Sequence, residues 1–291
     1  MDPEIDRQYS PRMWSQRLPP EEVVKNHVAV ARQASEAAKA AVPCVLGVQY
    51  GPTEGQRLDI YGGENIPKDA PIVVYIHGGY WQELSKDISS YCVQPLYKAG
   101  IRVIILGYDL APRVRLGDIV EEMNAAGKYI LDLAQKLQSR SVWFMGHCAG
   151  AHLIMMLLTS DWFNQLPESQ QSLVQGCVLI SGIYDLAPLV YTHLNPALDL
   201  TIDEIELYSA FPKRTWIPLS LKDKLKVLVT IAAHDSPEFK RQNEEFQNLL
   251  RKTCKQVEFL TVPNVDHFDT VENLQNEDFT LTKRIIHLIK Y

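Results

Sequence analysis

The 291-residue sequence contains no run of like charge, no cysteine pair at CxxC spacing, no repeat or low-complexity tract, and no apolar stretch approaching a bilayer span. Each absence excludes something. With 29 Lys plus Arg against 35 Asp plus Glu the net charge is -6, which gives no electrostatic footprint for nucleic acid. The five cysteines, Cys44, Cys92, Cys148, Cys177 and Cys254, are odd in number and widely separated, which argues against a disulfide framework and a zinc site. No histidine has metal-like spacing to a second ligand, and Gly62-Gly63 lack the surroundings of a phosphate loop, so no cofactor and no metal are expected. The opening MDPEIDRQYSPRMW lacks the basic region and apolar core of a secretory signal. A cytoplasmic location without a membrane partner is the expectation, and a homodimer stays open as an assembly.

What is present is the composition of a globular protein with a large core, 46% hydrophobic, 22% charged and 9% aromatic. The length suits a single α/β domain over residues 1–291, with an N-terminal helical segment at 1–42. Within it, residues 19–42 start with prolines and glutamates and continue with apolar residues at helical spacing, which predicts a helix. CVLGVQY and QRLDIY alternate apolar positions across a Gly/Pro/Glu turn and predict an antiparallel hairpin. From residue 71 the rhythm changes. PIVVYIH, RVIILGY, SVWFMG, CVLIS, KVLVTIAA and VEFLTV are continuous apolar runs of strand length, as parallel strands buried on both faces require. The intervals 87–99, 116–139, 149–159 and 237–252, and finally 276–290, read as helices. The alternation predicts a doubly wound, mostly parallel sheet with an antiparallel N-terminal edge. Between 184 and 223 the pattern breaks around Pro188, Pro196, Pro212 and Pro218, and an insertion over the strand ends, a candidate lid, is expected there.

The chemistry concentrates where a strand meets Gly146-His147-Cys148-Ala149-Gly150 and passes directly into an apolar helix. Glycines two positions either side of a central residue are what a nucleophile elbow needs, because the tight turn leaves no room for β-carbons. The elbow sets its nucleophile at a helix N-terminus that favours negative charge. Taken alone, a structural cysteine in a tight turn explains the pattern too. Upstream, an apolar strand ends in His77-Gly78-Gly79-Tyr80-Trp81, in the place of an oxyanion loop. There Gly78 and Gly79 would turn N–H groups toward the developing charge, with a third from Ala149. Tyr80 and Trp81 are candidates for an aromatic wall around the leaving group.

An acid and a base should follow, each just beyond a strand. Asp235 in AAHDSPEF and His267 in VPNVDHFD occupy those places, and Asp185 in SGIYDL is the competing acid. His267 would accept the thiol proton while Asp235 holds the imidazole. His77 is expected to brace the oxyanion loop, and His147 to sit where the elbow forces it. Elbow, oxyanion loop, acid and base in this order predict an α/β-hydrolase fold carrying out acyl transfer to water.

Taken together, HGGYW, GHCAGAH, HDSPEF and VDHFDTVENL closely resemble the kynurenine formamidase (arylformamidase) family, and the likeness runs from the N-terminal helix to the last one. The resemblance implies hydrolysis of N-formyl-L-kynurenine, a small aromatic formamide from tryptophan catabolism, without a cofactor. By position it assigns Gly78 and Gly79 to the oxyanion loop and Asp235 and His267 to acid and base. The family's elbow reads GHSAGAH, so Cys148 stands where the family has its nucleophilic serine. That departure leaves open a thiol hydrolase, a serine-to-cysteine variant, and a paralogue with altered activity, including a carboxylesterase acting on small acyl groups.

Overall fold

The computed structural model describes residues 1–210, 218 and 220–291. The predicted hairpin forms from β1 (Cys44–Gln49) and β2 (Arg57–Tyr61), and the six apolar runs become β3 (Ile72–Ile76), β4 (Arg102–Leu106), β5 (Val142–His147), β6 (Val174–Ile180), β7 (Lys226–Ala232) and β8 (Gln256–Val262). They join one eight-stranded sheet in the order β1-β2-β4-β3-β5-β6-β7-β8. The β1/β2 and β2/β4 pairs are antiparallel and every later pair is parallel. Because successive strand side chains point to opposite faces, β3 feeds two cores at once. Ile72, Val74 and Ile76 pack into one hydrophobic cluster, and Val73 and Tyr75 into the other. The chain order reverses at β3 and β4, and the ends of β3, β5, β7 and β8 carry the residues expected to do chemistry.

Helices cover the sheet: α1 (Pro3–Gln8), α2 (Pro20–Ala41), α3 (Val93–Lys98), α4 (Leu116–Leu137), α5 (Ala149–Leu158), and later Pro237–Leu250 and Thr280–Lys290. In α2, Pro20 at the first position and Glu21 and Glu22 in the first turn favour initiation, and His27, Ala31, Ala34, Ser35 and Ala38 make a buried stripe at helical spacing. Among the described residues no helix is long and apolar enough to cross a membrane.

Two predicted helices are shorter than their patterns suggest. Over 87–99 only a 3-10 turn at Lys86–Ile88 and α3 form. The Ser89 hydroxyl donates to Ser85 O at 2.7 Å, and the Ser90 N–H donates to Ser35 Oγ at 2.9 Å, so local side-chain bonds displace the helical ladder. The last helix starts at Thr280 instead of 276, because the Asn276 side chain accepts the Asp278 N–H at 2.9 Å and makes a turn. Within the expected insertion, a 3-10 stretch Ala187–Tyr191 and helices Asn195–Leu198 and Ile202–Tyr208 run across the strand ends. Its portion at 211–217 and 219 lies outside the described residues.

Helix α5 approaches β3 as closely as backbone allows. A β-carbon on Gly150 would lie 2.1 Å from Ile76 O, and one on Gly146 would lie 2.5 Å from the Gly150 carbonyl carbon. Both obstacles are backbone, which cannot rotate away. Gly150→Ala should therefore lower unfolding free energy by at least about 1–3 kcal/mol, the usual cost of overpacking. Urea titration of the two proteins measures it, and equal midpoints would show that the helix can slide off the strand without loss.

Candidate active site

At Cys148 the backbone has φ 52 and ψ -114, a conformation that side-chain-bearing residues seldom adopt. Holding it costs on the order of 1–3 kcal/mol. The two flanking glycines permit the turn, and the Cys148 N–H donates to Ile180 O at 2.9 Å, tying the turn to β6. The thiol is free and the residue 2% exposed, at the N-terminus of α5.

The loop after β3 is built from consecutive left-handed residues: Gly79 (φ 99), Tyr80 (φ 50) and Trp81 (φ 59). Gly79 O accepts the N–H groups of Gln82 and Glu83 at 2.9 Å each, closing the turn. A β-carbon on Gly78 would stand 3.1 Å from Cys148 Cβ, so the loop backbone lies directly against the thiol-bearing residue. The N–H groups of Gly78, Gly79 and Ala149 donate to no acceptor among the described residues, leaving three donors next to the sulfur. His77 stacks on Tyr108 at 4.3 Å, and its Nδ1 meets Gly78 O at 2.9 Å. Burial lowers its pKa to about 4, so it braces the loop as a neutral ring.

His267 Nδ1 meets Asp235 Oδ1 at 2.7 Å, both residues being buried. The second carboxylate oxygen accepts from Ser181 Oγ at 2.6 Å and from the Ala232 N–H at 3.1 Å, so Asp235 has one orientation. Ser181 itself has φ 45, just past the end of β6. Phe239 and Phe268 set their rings edge-on to the imidazole at 4.9 and 5.5 Å, and His147 lies 4.4 Å from it. Burial, the largest influence on His267, disfavours its charge. Asp235, hydrogen-bonded to the ring, and Cys148 close to it outweigh burial and push the pKa up to about 10. The competing acid, Asp185, is engaged with the Ala187 N–H at 3.1 Å, and its backbone N–H is held by Gln242.

Cys148, His147 and His267 open onto a cavity of about 230 Å³ that Gly79 and Tyr80 also line. Trp81 does not line it. The residue is fully buried beneath the loop, edge-on to His152 at 4.9 Å, because successive left-handed residues send neighbouring side chains apart. Tyr9 and Phe268 supply the remaining aromatic wall. Motif reading missed this contribution from the N-terminal segment, since Tyr9 sits in an irregular stretch without periodicity. His147, expected only to sit where the elbow forces it, also lines the cavity; its Nε2 has no partner, and burial, the largest cause, holds it well below its usual pKa. Ser181 carried no signal beyond its place after an apolar run. Among the described residues no group of three His, Cys, Asp or Glu side chains could hold a metal ion.

Sheet, strained elbow and a cysteine, histidine and carboxylate gathered at the strand ends define an α/β-hydrolase. A protein of Silicibacter sp. TM1040 shares the fold with a TM-score of 0.76 at 22% identity, covering 99% of each chain. The BD-FAE family matches residues 58–203. Over nearly the whole length the chain is 36% identical to the kynurenine formamidases of Salmo salar and Danio rerio, covering 98% of this chain and 96% of each relative. It belongs to the kynurenine formamidase family.

The raised His267 pKa has a consequence for stability. A folded-state value above the ordinary 6.5 means that the charged ring contributes stability in full below pH 6.5 and loses it as pH rises through about 10. Asp235→Asn removes the main partner of that charge. Its deficit relative to the unmodified protein in denaturant melts should be largest at pH 6.5 and narrow steadily toward pH 10. A deficit that is constant with pH would mean that the pair is held by neutral hydrogen bonding alone.

Proposed function

We propose that the protein hydrolyses N-formyl-L-kynurenine to L-kynurenine and formate, with Cys148 as nucleophile, His267 as acid and base, and Asp235 as its orienting carboxylate. The observation that carries this reading is the bonding of His267 to Asp235, with His267 and Cys148 lining the same aromatic-walled cavity. The sulfur attacks the formyl carbon while His267, kept charged beside Asp235 and Cys148, holds the thiol proton. The oxygen, now negative, faces the N–H groups of Gly78, Gly79 and Ala149. His267 returns the proton to the departing aromatic amine, leaving a formyl thioester on Cys148. Water, relieved of a proton by His267, then attacks that thioester and releases formate.

The cavity mouth also suits this substrate. Arg12 and Glu83 both line it, and both are exposed. One cation and one anion match the carboxylate and ammonium of an amino-acid side arm, while Tyr80 and Phe268 flank the ring. Arg12→Ala should raise KM for N-formyl-kynurenine about fivefold, as loss of a solvent-screened charged contact does, and leave KM for formanilide unchanged. An equal rise for both substrates would remove Arg12 from recognition of the amino-acid end.

Cys148 favours a second activity at the same site. A tetrahedral intermediate on sulfur collapses by expelling either sulfur or the substrate's leaving group, and a thiolate departs far more readily than an unprotonated amine. Return to substrate therefore competes with amide cleavage, whereas the phenolate of an aryl ester leaves easily. The expected result is weak formamide turnover with relatively better aryl-ester turnover. Cys148→Ser should raise formamide turnover about tenfold or more, equivalent to about 1.4 kcal/mol of barrier, and Cys148→Ala should abolish both. Steady-state kinetics on N-formyl-kynurenine and an aryl formate decide it. A serine form no faster on the formamide would show a site adapted to sulfur.

A further inference from the structure

The loop that carries His267 is fastened from a distant part of the chain. Arg17 donates from Nε to Asp266 Oδ2 at 2.9 Å and, through both terminal nitrogens, to the Glu272 carboxylate at 2.7 and 2.8 Å. Ser15 Oγ adds a bond to Asp266 Oδ2 at 2.6 Å, and His27 Nδ1 meets Glu272 Oε1 at 2.9 Å. The other Asp266 oxygen accepts the N–H groups of Phe268 and Asp269 at 2.8 and 2.9 Å, so this carboxylate shapes the turn on which His267 sits. Asp266, Glu272 and His27 are each less than 5% exposed. The same N-terminal stretch touches the other parts of the site as well. Tyr80 Oη donates to Tyr9 O at 2.8 Å, and Asp6 holds His193 of the insertion at 2.7 Å.

We propose that Arg17 is a positioning residue for His267: its fork locks Asp266 and Glu272, and so sets the imidazole between Asp235 and Cys148. This rests on the hydrolase reading of the site. The guanidinium has a geometric and an electrostatic part. Geometrically, the planar fork holds Asp266 through Nε while it grips Glu272 with both terminal nitrogens, a fixed arrangement that the single ammonium of a lysine does not reproduce. Electrostatically, Arg17 offsets buried negative charge next to the base. Burial works against the charge of Asp266, but Ser15, the Asp269 N–H and Arg17 outweigh it and hold its carboxyl below the usual range. Asp269, 4.0 Å from Arg17 Nε, is raised by burial and by the charge of Asp266. The groups facing His267 are thus Asp235, Cys148 and His147 from the strand ends, Asp266 and Asp269 from its own loop, and Arg17, His27 and Glu272 behind that loop.

Removing the cation leaves uncompensated carboxylates near the imidazole, which favours its protonated form. The acidic limb of the pH-rate profile must then move to higher pH. The test compares R17K and R17Q with the unmodified protein, normalised to folded molecules by far-UV circular dichroism. Two readouts are used: kcat and KM against pH, and the pH dependence of Cys148 alkylation by iodoacetamide. R17K should lose about tenfold in kcat, the loss of about 1.4 kcal/mol of transition-state positioning, with KM nearly unchanged and the limb in place. R17Q should lose kcat and shift the limb upward in both readouts. Should R17Q fail to fold, the R17K split of kcat from KM decides alone. An R17K form with unchanged kcat would overturn the proposal and leave Arg17 a fastening for the fold. Alkylation needs no formamide, so a failed substrate assignment would leave its pH shift intact, whereas a failed positioning role would not.

Discussion

The site depends on one backbone conformation, the positive φ of Cys148, and on the room that Gly146 and Gly150 leave for it. With β-carbons at either glycine, α5 could not sit against β3, and the turn would have to open. Opening would carry the thiol away from the N–H groups of Gly78, Gly79 and Ala149, which are placed by the same contact. The strain of the elbow is met by rigid neighbours: β5 and β6 on one side, an apolar helix that is buried throughout on the other. This is why Cys148 sits on the scaffold of strands and helix instead of on a loop.

Charge is handled by the same economy of placement. Asp235 and His267 are buried as a pair, an arrangement that is unfavourable unless every oxygen finds a donor. Ser181 and the Ala232 N–H complete Asp235, while Phe239 and Phe268 pack edge-on against the imidazole. A second buried group, made from Arg17, Asp266, Glu272 and His27, lies directly behind it. The two networks share the short loop that carries His267, so an electrostatic change in one is felt in the other.

The sheet was legible in the sequence because its signal is local. Six apolar runs and one alternating hairpin became eight strands, and the glycine pattern around Cys148 and after His77 marked the turns that matter. Helix ends were less legible, since Ser89, Ser90 and Asn276 divert the backbone through side-chain bonds that periodicity does not register. Trp81 was misplaced because an aromatic residue beside a loop says nothing about which way a left-handed turn sends it. Tyr9, Arg12 and Arg17 carried no readable sign at all. Their meaning lies wholly in partners far along the chain, which no window of sequence contains.

That separation bears on how the protein is made. Arg17 and its two carboxylates are 249 and 255 residues apart, so the first helical segment leaves the ribosome long before the loop it fastens exists. Contacts of such range close late in folding. Until they close, His27 and Arg17 have no carboxylate to meet, and the pocket lacks a wall. A nascent chain that has not yet reached residues 266–272 lacks both His267 and the carboxylates that Arg17 meets.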